Sequence, residues 1–164
     1  MKDRQEDHLP IHGPGPAYVA TIAVLTIAGI ALSSMDMLPW ASAGGAIGAL
    51  RAPGIALVVG GVALWVAAVK GANIDEGIQS NRLVTQGAYA LVRNPIYSAF
   101  TLVCAGAIFI CGNLWLLVLL PAFWAFLTVL MKATEEKWLL DLYGEQYADY
   151  CKRVNRCIPW FPRH

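Results

Sequence analysis

The sequence predicts an all-α integral membrane protein, a single domain over residues 1–164 with four transmembrane helices followed by an amphipathic cytoplasmic helix. Two observations lead to this fold class. Hydrophobic residues make up 57% of the chain and charged residues only 14%, whereas soluble domains carry about 25% charged residues. The charged residues are also missing from four long stretches, each close to the ~20 residues that a helix needs to cross a bilayer.

The first predicted span covers residues 17–35 and the second covers residues 53–69, and neither contains a charge. The second is rich in glycine and alanine, which lets neighbouring helices approach closely in a membrane. The third span, 96–111, and the fourth, 114–131, are separated by two residues only. One helix over both would be about 54 Å long, far more than a bilayer, so they should form a tight antiparallel hairpin.

The distribution of lysine and arginine predicts the orientation of the chain. With four spans, the N-terminal tail, the connector 70–95 and the chain after residue 131 all lie on one side of the membrane. These three segments hold eleven of the twelve lysines and arginines. Because positive charge marks the cytoplasmic side, both termini are predicted to be cytoplasmic.

The chain after the fourth span has the pattern of an amphipathic helix from about residue 134 to residue 154. Its apolar and aromatic residues recur at three- and four-residue spacing, at Leu139, Leu140, Tyr143, Tyr147, Tyr150 and Val154. Such a helix is expected to lie at the membrane surface, where tyrosines also serve as interfacial anchors. A bend is expected at Gly144.

Two distant segments should meet at the cytoplasmic end of the predicted hairpin, because the third span begins where the fourth ends. The residues brought together are Arg93, Asn94, Pro95, Tyr97, Glu135 and Glu136. Asn followed by Pro is also typical of a helix start, with Asn as the cap, and an isolated Arg can reach lipid phosphate. Two adjacent carboxylates at the C-terminal end of a span oppose the helix dipole. They therefore indicate a function, such as contact with a cation or with ribose hydroxyls.

These segments resemble the isoprenylcysteine carboxyl methyltransferase and phospholipid methyltransferase superfamily. The matching segments are Leu83-Val-Thr-Gln-Gly-Ala-Tyr89, Arg93-Asn-Pro-Ile-Tyr97, Glu135-Glu136, and Tyr143-Gly144 followed by Tyr147, Tyr150 and Pro159. Order and spacing agree with the family pattern over about residues 82–160, half of the chain. One position differs, since Asn94 stands where the family has histidine; asparagine can exchange hydrogen bonds but cannot titrate.

The resemblance implies S-adenosylmethionine as cofactor, held between the last two spans and the cytoplasmic tail. Arg93 and Glu136 are the predicted catalytic residues. The predicted cofactor-binding residues are Leu83, Val84, Gly87, Tyr89, Arg93, Asn94, Pro95, Tyr97, Glu135, Glu136 and Tyr147. Arg93, or Arg153 outside this set, could bind the carboxylate of the cofactor. The glutamates could bind its ammonium or ribose, and a tyrosine could contact its adenine or sulfonium.

The predicted function is methyl transfer to a lipophilic substrate that enters from the membrane lipid. A prenylated cysteine, a phospholipid amine and another small lipophile all stay open. A nicotinamide-dependent membrane reductase is an alternative, because sterol reductases resemble this superfamily around Arg93–Tyr97, but the glutamate pair favours methyl transfer. A non-catalytic scaffold or transporter is a third reading, and the absence of charge within the spans argues against a transporter.

We expect neither a metal nor a nucleic acid as a partner. The four cysteines, at positions 104, 111, 151 and 157, have no CxxC spacing, and small buried packing residues are the usual role of such cysteines. No predicted strand leads into a GxGxxG motif, which excludes the soluble Rossmann type of methyltransferase.

Overall fold

The computed structural model describes residues 14–39, 47–71 and 83–160. Within these ranges the secondary structure is helical, with no β-strand, so the predicted all-α class is confirmed. The helices are α1 (Gly15–Ser34), α2 (Ile47–Gly71), the one-turn α3 (Ala88–Leu91), α4 (Pro95–Cys111), a 3₁₀ helix (Leu114–Val118), α5 (Leu119–Ala133), α6 (Glu135–Tyr143) and α7 (Glu145–Arg153).

Three helical stretches are long and apolar enough to cross a membrane, namely Gly15–Ser34, Gly48–Lys70 and Leu114–Tyr143. The protein is therefore an integral membrane protein. The fourth apolar helix, α4, has 17 residues and a length of about 26 Å, slightly less than the ~30 Å hydrocarbon core. The number of four spans stays a prediction.

The second span begins six residues earlier than the sequence suggested, because Pro53 lies inside α2 instead of starting it. Proline removes one hydrogen bond, to the carbonyl four residues before it. Here that carbonyl belongs to the first turn of α2, where the loss disturbs little of the helix.

Helix α4 is packed tightly against α2 through glycines. A Cβ added to Gly106 would lie 2.5 Å from the carbonyl oxygen of Gly54, and one added to Gly61 would lie 2.8 Å from that of Ala99. Only hydrogen fits at these two positions. The close approach predicted from the small residues of the second span is thus confirmed for this pair of helices.

The other side of α4 faces a hydrophobic core shared with α1 and α5. Its buried members are Tyr18, Ile22, Cys104, Ile108, Leu116, Phe123, Leu127 and Met131. The Tyr18 hydroxyl needs a hydrogen-bond partner because it is buried, and it forms a 2.7 Å hydrogen bond with Oγ1 of Thr101. Helix α1 is therefore fixed to α4 by a polar contact inside an apolar interface.

The turn after α4 is as short as predicted, with two residues between α4 and the 3₁₀ helix that leads into α5. Gly112 ends α4 in the left-handed conformation, with φ 76°, which glycine adopts at no steric cost. Asn113 is 1% exposed. Its Nδ2 donates to Oγ of Ser33 at 2.9 Å, and its Oδ1 accepts from the backbone N–H of Trp115 at 3.0 Å, so this turn also anchors the end of α1.

The chain after α5 forms two short helices, α6 and α7, where the sequence suggested one helix from 134 to 154. Gly144 separates them with φ 53° and ψ −127°, a conformation that is strained for residues with a side chain. Helix α7 buries Tyr147 and Tyr150, which pack with Val154 and with Leu83 of the preceding loop. The position of this region at the cytoplasmic membrane surface stays a prediction.

Candidate functional site

The two segments that topology predicted to meet are in contact. The Tyr97 hydroxyl donates to Oε1 of Glu135 at 2.8 Å, and Nη1 of Arg93 lies 3.1 Å from Oε1 of Glu136. Tyr97 belongs to the first turn of α4, and the two glutamates open α6 just beyond the end of α5. The predicted juxtaposition is therefore confirmed.

Glu136 lies between two arginines. Arg156 donates from Nε to Oε1 at 2.5 Å and from Nη2 to Oε2 at 2.9 Å, and Arg93 approaches Oε1 from the other side. The Arg156 pair is bidentate and charge-assisted, the strongest common form of side-chain hydrogen bonding. The hydrogen bond to Glu136 raises the pKa of Arg156. Both carboxylate oxygens of Glu136 are thus already engaged within the protein.

Arg93 is the most deeply buried charge of this cluster, with a side chain only 8% exposed. Its Nη1 contacts Oε1 of Glu136 and Sγ of Cys151. Its Nε is buried without a hydrogen-bond partner among the described residues. Buried donors are nearly always satisfied in proteins, so this N–H is a candidate contact for a bound ligand that accepts hydrogen bonds.

The segment 155–160 closes over the start of α4. Backbone N–H groups of Arg93 and Trp160 donate to the carbonyls of Asn155 (2.8 Å) and Leu91 (3.0 Å), respectively. The hydroxyl of Ser98 donates to the carbonyl of Cys157 at 2.7 Å. These bonds place Arg156 opposite Glu136, although the two residues are 20 positions apart and on different elements.

Asn94 is part of this attachment. Its Nδ2 donates to the carbonyl of Arg156 at 3.1 Å, and it makes no side-chain cap on α4. Asn94 is the N-cap residue of α4 and the buried Pro95 occupies the first turn, as predicted, but the cap is made without the Asn94 side chain. The Asn94 side chain therefore helps to hold the tail in place.

Tyrosines surround the charged cluster. Tyr147 is buried, with its ring centroid 6.1 Å from that of Tyr150, and the Tyr150 hydroxyl donates to the carbonyl of Tyr89 at 2.6 Å. Burial raises the pKa of Tyr147 and, with a smaller effect from Glu135, the pKa of Tyr89. These phenols therefore stay neutral at physiological pH and can act as hydrogen-bond donors or as ring surfaces.

The other predicted site residues lie on the loop before α4. Leu83 packs against the cluster of Tyr147, Tyr150 and Val154, and Val84 is half-buried. Gly87 is exposed and has φ 62° at the start of α3. Arg153, the alternative to Arg93 for a carboxylate, is exposed at the end of α7.

Sequence reasoning missed four residues that shape the site: Gly15, Tyr18, Cys151 and Arg156. Tyr18 of α1 packs edge-on against Tyr97, with centroids 6.2 Å apart, and a side chain at Gly15 would overlap the Tyr97 ring. The first span carries no motif, so nothing in the sequence linked it to this end of the hairpin. Arg156 looked like one of several tail charges.

An apolar groove of about 490 Å³ opens next to the cluster, between α4 and α5. Trp124 and Pro121 form part of one wall, and Ser98, Thr101 and Cys157 give its floor a few polar atoms. Ser98 and Cys157 directly follow Tyr97 and Arg156 in the chain. The groove and the polar cluster are therefore lined by neighbouring residues of the chain.

The chemistry of the cluster fits S-adenosylmethionine. A buried guanidinium N–H without a partner suits a carboxylate, Glu135 suits an ammonium or ribose hydroxyls, and phenol rings suit an adenine or a sulfonium. The described residues contain no group of three His, Cys, Asp or Glu side chains that could hold a metal ion. The absence of a metal partner stays a prediction.

The fold and the site define a helical membrane protein with a charged cluster where a hairpin of helices ends. The chain belongs to the phospholipid methyltransferase family, whose model matches residues 50–146. The resemblance found in the sequence is thus confirmed. The match includes α2, which the motif segments did not cover.

Curated relatives include protein-S-isoprenylcysteine O-methyltransferases and a methanethiol S-methyltransferase. The enzyme of Schizosaccharomyces pombe is 36% identical over 49% of this chain and 34% of its own length. The mouse enzyme is 33% identical over 68% of this chain and 42% of its own. Methanethiol S-methyltransferase 1 of Bradyrhizobium diazoefficiens is 35% identical over 48% of this chain and 27% of its own. The chain thus spans about two fifths or less of each of these relatives, and no solved structure matches it.

Proposed function

We propose that the protein transfers a methyl group from S-adenosylmethionine to a lipophilic substrate at the cytoplasmic face of the membrane. One observation carries the proposal: the cluster of Arg93, Glu135 and Glu136 adjoins an apolar groove between α4 and α5. A charged cofactor and a lipophilic acceptor need such contrasting surroundings within a few ångströms of each other. The names of the relatives support the same class of reaction.

In this proposal, Nε of Arg93 binds the carboxylate of the cofactor, because it is a buried donor without a protein partner among the described residues. Glu135 receives the ammonium or the ribose hydroxyls, with the Tyr97 hydroxyl holding one of its oxygens. Glu136 acts by orienting Arg93 and Arg156, since both of its oxygens already accept from guanidinium groups.

The cofactor, when bound, supplies an electrophilic methyl group on a sulfonium whose leaving group is a neutral thioether. The protein therefore needs no general acid for the leaving group. Its contribution is alignment and the exclusion of water, and good alignment of two reactants is worth roughly 7–11 kcal/mol of barrier. Tyr97, confined between Gly15, Tyr18 and Glu135, is well placed to keep the site narrow and dry.

The acceptor is proposed to be the carboxylate of a prenylated cysteine, with its chain in the α4–α5 groove. An anionic acceptor suits the site, because the cofactor adds net positive charge to a cluster in which two arginines and two glutamates balance. A phospholipid amine is the second candidate, supported by the description of the matching family. An amine must lose a proton, for which Glu135 is the available base.

The test is a calorimetric titration of the purified protein with S-adenosylmethionine. We expect Glu136→Gln to weaken binding at least tenfold and Glu136→Ala to abolish it. Glu145→Gln, a change at an exposed carboxylate at the start of α7, should bind as the wild type does.

Unchanged affinity for S-adenosylmethionine in both Glu136 variants would show that Glu136 is not part of the binding site. Binding of NADPH in place of S-adenosylmethionine would favour the reductase, and binding of neither would favour a non-catalytic protein. Thermal unfolding of each variant separates loss of the site from loss of the fold.

A further inference from the structure

A second groove, of about 770 Å³, lies between α2 and the α3 segment and is also lined by Leu102 of α4 and Pro159 of the tail. It shares Leu102 and Pro159 with the groove between α4 and α5, but none of the residues of the charged cluster lines it. Its floor is formed by Gly60, Ala63 and Ala67 of α2, all of which are exposed. Leu91 and Leu102 line its other side. In an integral membrane protein this surface faces lipid or another protein.

The position of this groove along α2 matches one leaflet of a bilayer. It runs from Gly60, near the middle of the candidate span Gly48–Lys70, to Lys70 at the end of that span. Ten residues of helix correspond to about 15 Å, which is half of the ~30 Å hydrocarbon core. A lipid chain that ends in the middle of the membrane and begins at its surface has this length.

The charge at the end of the groove indicates which lipid would occupy it. Lys70 is the only charged residue among its lining residues, all of which lie in the described part of the chain, and the remaining surface is almost wholly apolar. An ammonium at the headgroup level attracts anionic lipid phosphate. If a second copy of this chain packed groove against groove, these lining residues would offer Lys70 no carboxylate, so a single anionic lipid suits the groove better.

The geometry points to a binding site for one anionic phospholipid, with an acyl chain along Gly60, Ala63 and Ala67 and its phosphate at Lys70. This site does not depend on the proposed methyl transfer. It does adjoin the segment that carries Tyr89 and Arg93, because Leu91 forms part of its wall and the Leu91 carbonyl binds the tail through the N–H of Trp160.

Native mass spectrometry of the purified full chain tests the site, with dioleoyl phosphatidylglycerol and dioleoyl phosphatidylcholine as probes. The wild type should retain one phosphatidylglycerol about fivefold more strongly than phosphatidylcholine, the preference expected from one lysine at a lipid surface. Lys70→Gln should remove this preference. The double variant Gly60→Leu with Ala67→Leu should retain neither lipid, because the new side chains fill the groove.

The filled variant is expected to fold, since a Cβ on Gly60 would meet no atom within 4 Å. Lys132→Gln, at the exposed end of α5, and Ala56→Leu, on an exposed part of α2 outside the groove, are the matched controls and should behave as the wild type does. Equal retention of both lipids by the wild type would overturn the proposal. So would lipid retention by the filled variant, or a wild-type dimer that the filled variant converts to a monomer.

Discussion

Helix α4 has a closed interface with α2 and an open one with α5, although α5 is its neighbour in the chain. Toward α2, glycine faces carbonyl oxygen so closely that no side chain fits at Gly61 or Gly106. Toward α5, the helices separate enough to leave a groove of about 490 Å³, lined in part by Ser98 and Cys157. The difference shows that two helices joined by a two-residue turn need not pack closely along their length.

The two sides of α4 therefore have different roles in the structure. The α2 side holds the helix rigid, which keeps Arg93, Asn94 and Tyr97 in fixed positions. The α5 side provides space, and the tail segment 155–160 is attached by hydrogen bonds at its polar end. Substitutions on the two sides should therefore affect different properties, stability on the first and binding on the second.

The largest effect is expected from Gly106→Val in the closed interface. The added side chain would force α2 and α4 apart at the Gly54 carbonyl, and we expect a loss of about 3 kcal/mol or more, at the upper end of overpacking. Thermal unfolding in detergent is the measurement. Gly60→Ala, where no atom lies within 4 Å of a new Cβ, should be neutral or stabilising, and equal unfolding temperatures for both variants would contradict a tight interface.

Next in size is Arg156→Ala at the polar end of the open side. It removes a bidentate partner from Glu136, and hydrogen bonds to charged groups are worth about 1.5–3 kcal/mol. We expect reduced thermal stability together with weaker binding of S-adenosylmethionine in a titration. Arg153→Ala, at an exposed arginine three residues earlier, is the matched control. If the two variants behave alike, Arg156 has no special role.

A smaller effect, on binding alone, is expected from Trp124→Ala in the wall of the α4–α5 groove. Trp124 is 51% exposed, so its removal should cost little stability. It should raise the KM for an N-acetylated prenylcysteine about tenfold, the effect of losing about 1.4 kcal/mol of apolar contact. Trp115→Ala, 58% exposed in the 3₁₀ helix, serves as the comparison. An unchanged KM in Trp124→Ala would place the substrate elsewhere.

The smallest expected effect is that of Asn94→Ala, which removes one hydrogen bond between α4 and the tail. A neutral hydrogen bond contributes about 1 kcal/mol, so binding of S-adenosylmethionine should weaken about fivefold. Asn94→His restores the residue typical of the family and tests whether an imidazole can hold the same carbonyl. Full affinity in Asn94→Ala would show that the tail is held well enough by its other hydrogen bonds.

Much of this arrangement follows from sequence because hairpin topology is a strong constraint. A turn of two residues requires the start of α4 to lie beside the end of α5, and the contacts of Tyr97 with Glu135 and of Arg93 with Glu136 confirm that inference. The helical class and three long apolar helices follow in the same way from uncharged stretches.

Other features depend on contacts between residues whose spacing in the sequence gives no sign of them. The tail segment 155–160 has no regular secondary structure, so its attachment to residues 91–98 and the place of Arg156 could not be derived from spacing. The break at Gly144 looked like a bend, because a glycine alone does not reveal its backbone angles. Tyr18 belongs to a span without motifs, and only the three-dimensional packing of α1 brings it to Tyr97.

The contacts of Glu136 with two arginines also affect the order in which the protein can fold. Arg93 precedes α4, whereas Arg156 follows α7, so the 62 residues between them, which include the whole hairpin, are synthesised after the first arginine and before the second. Until residue 156 has been synthesised, one of the two arginine partners of Glu136 is missing. The charged cluster can therefore be completed only after the whole hairpin has been made.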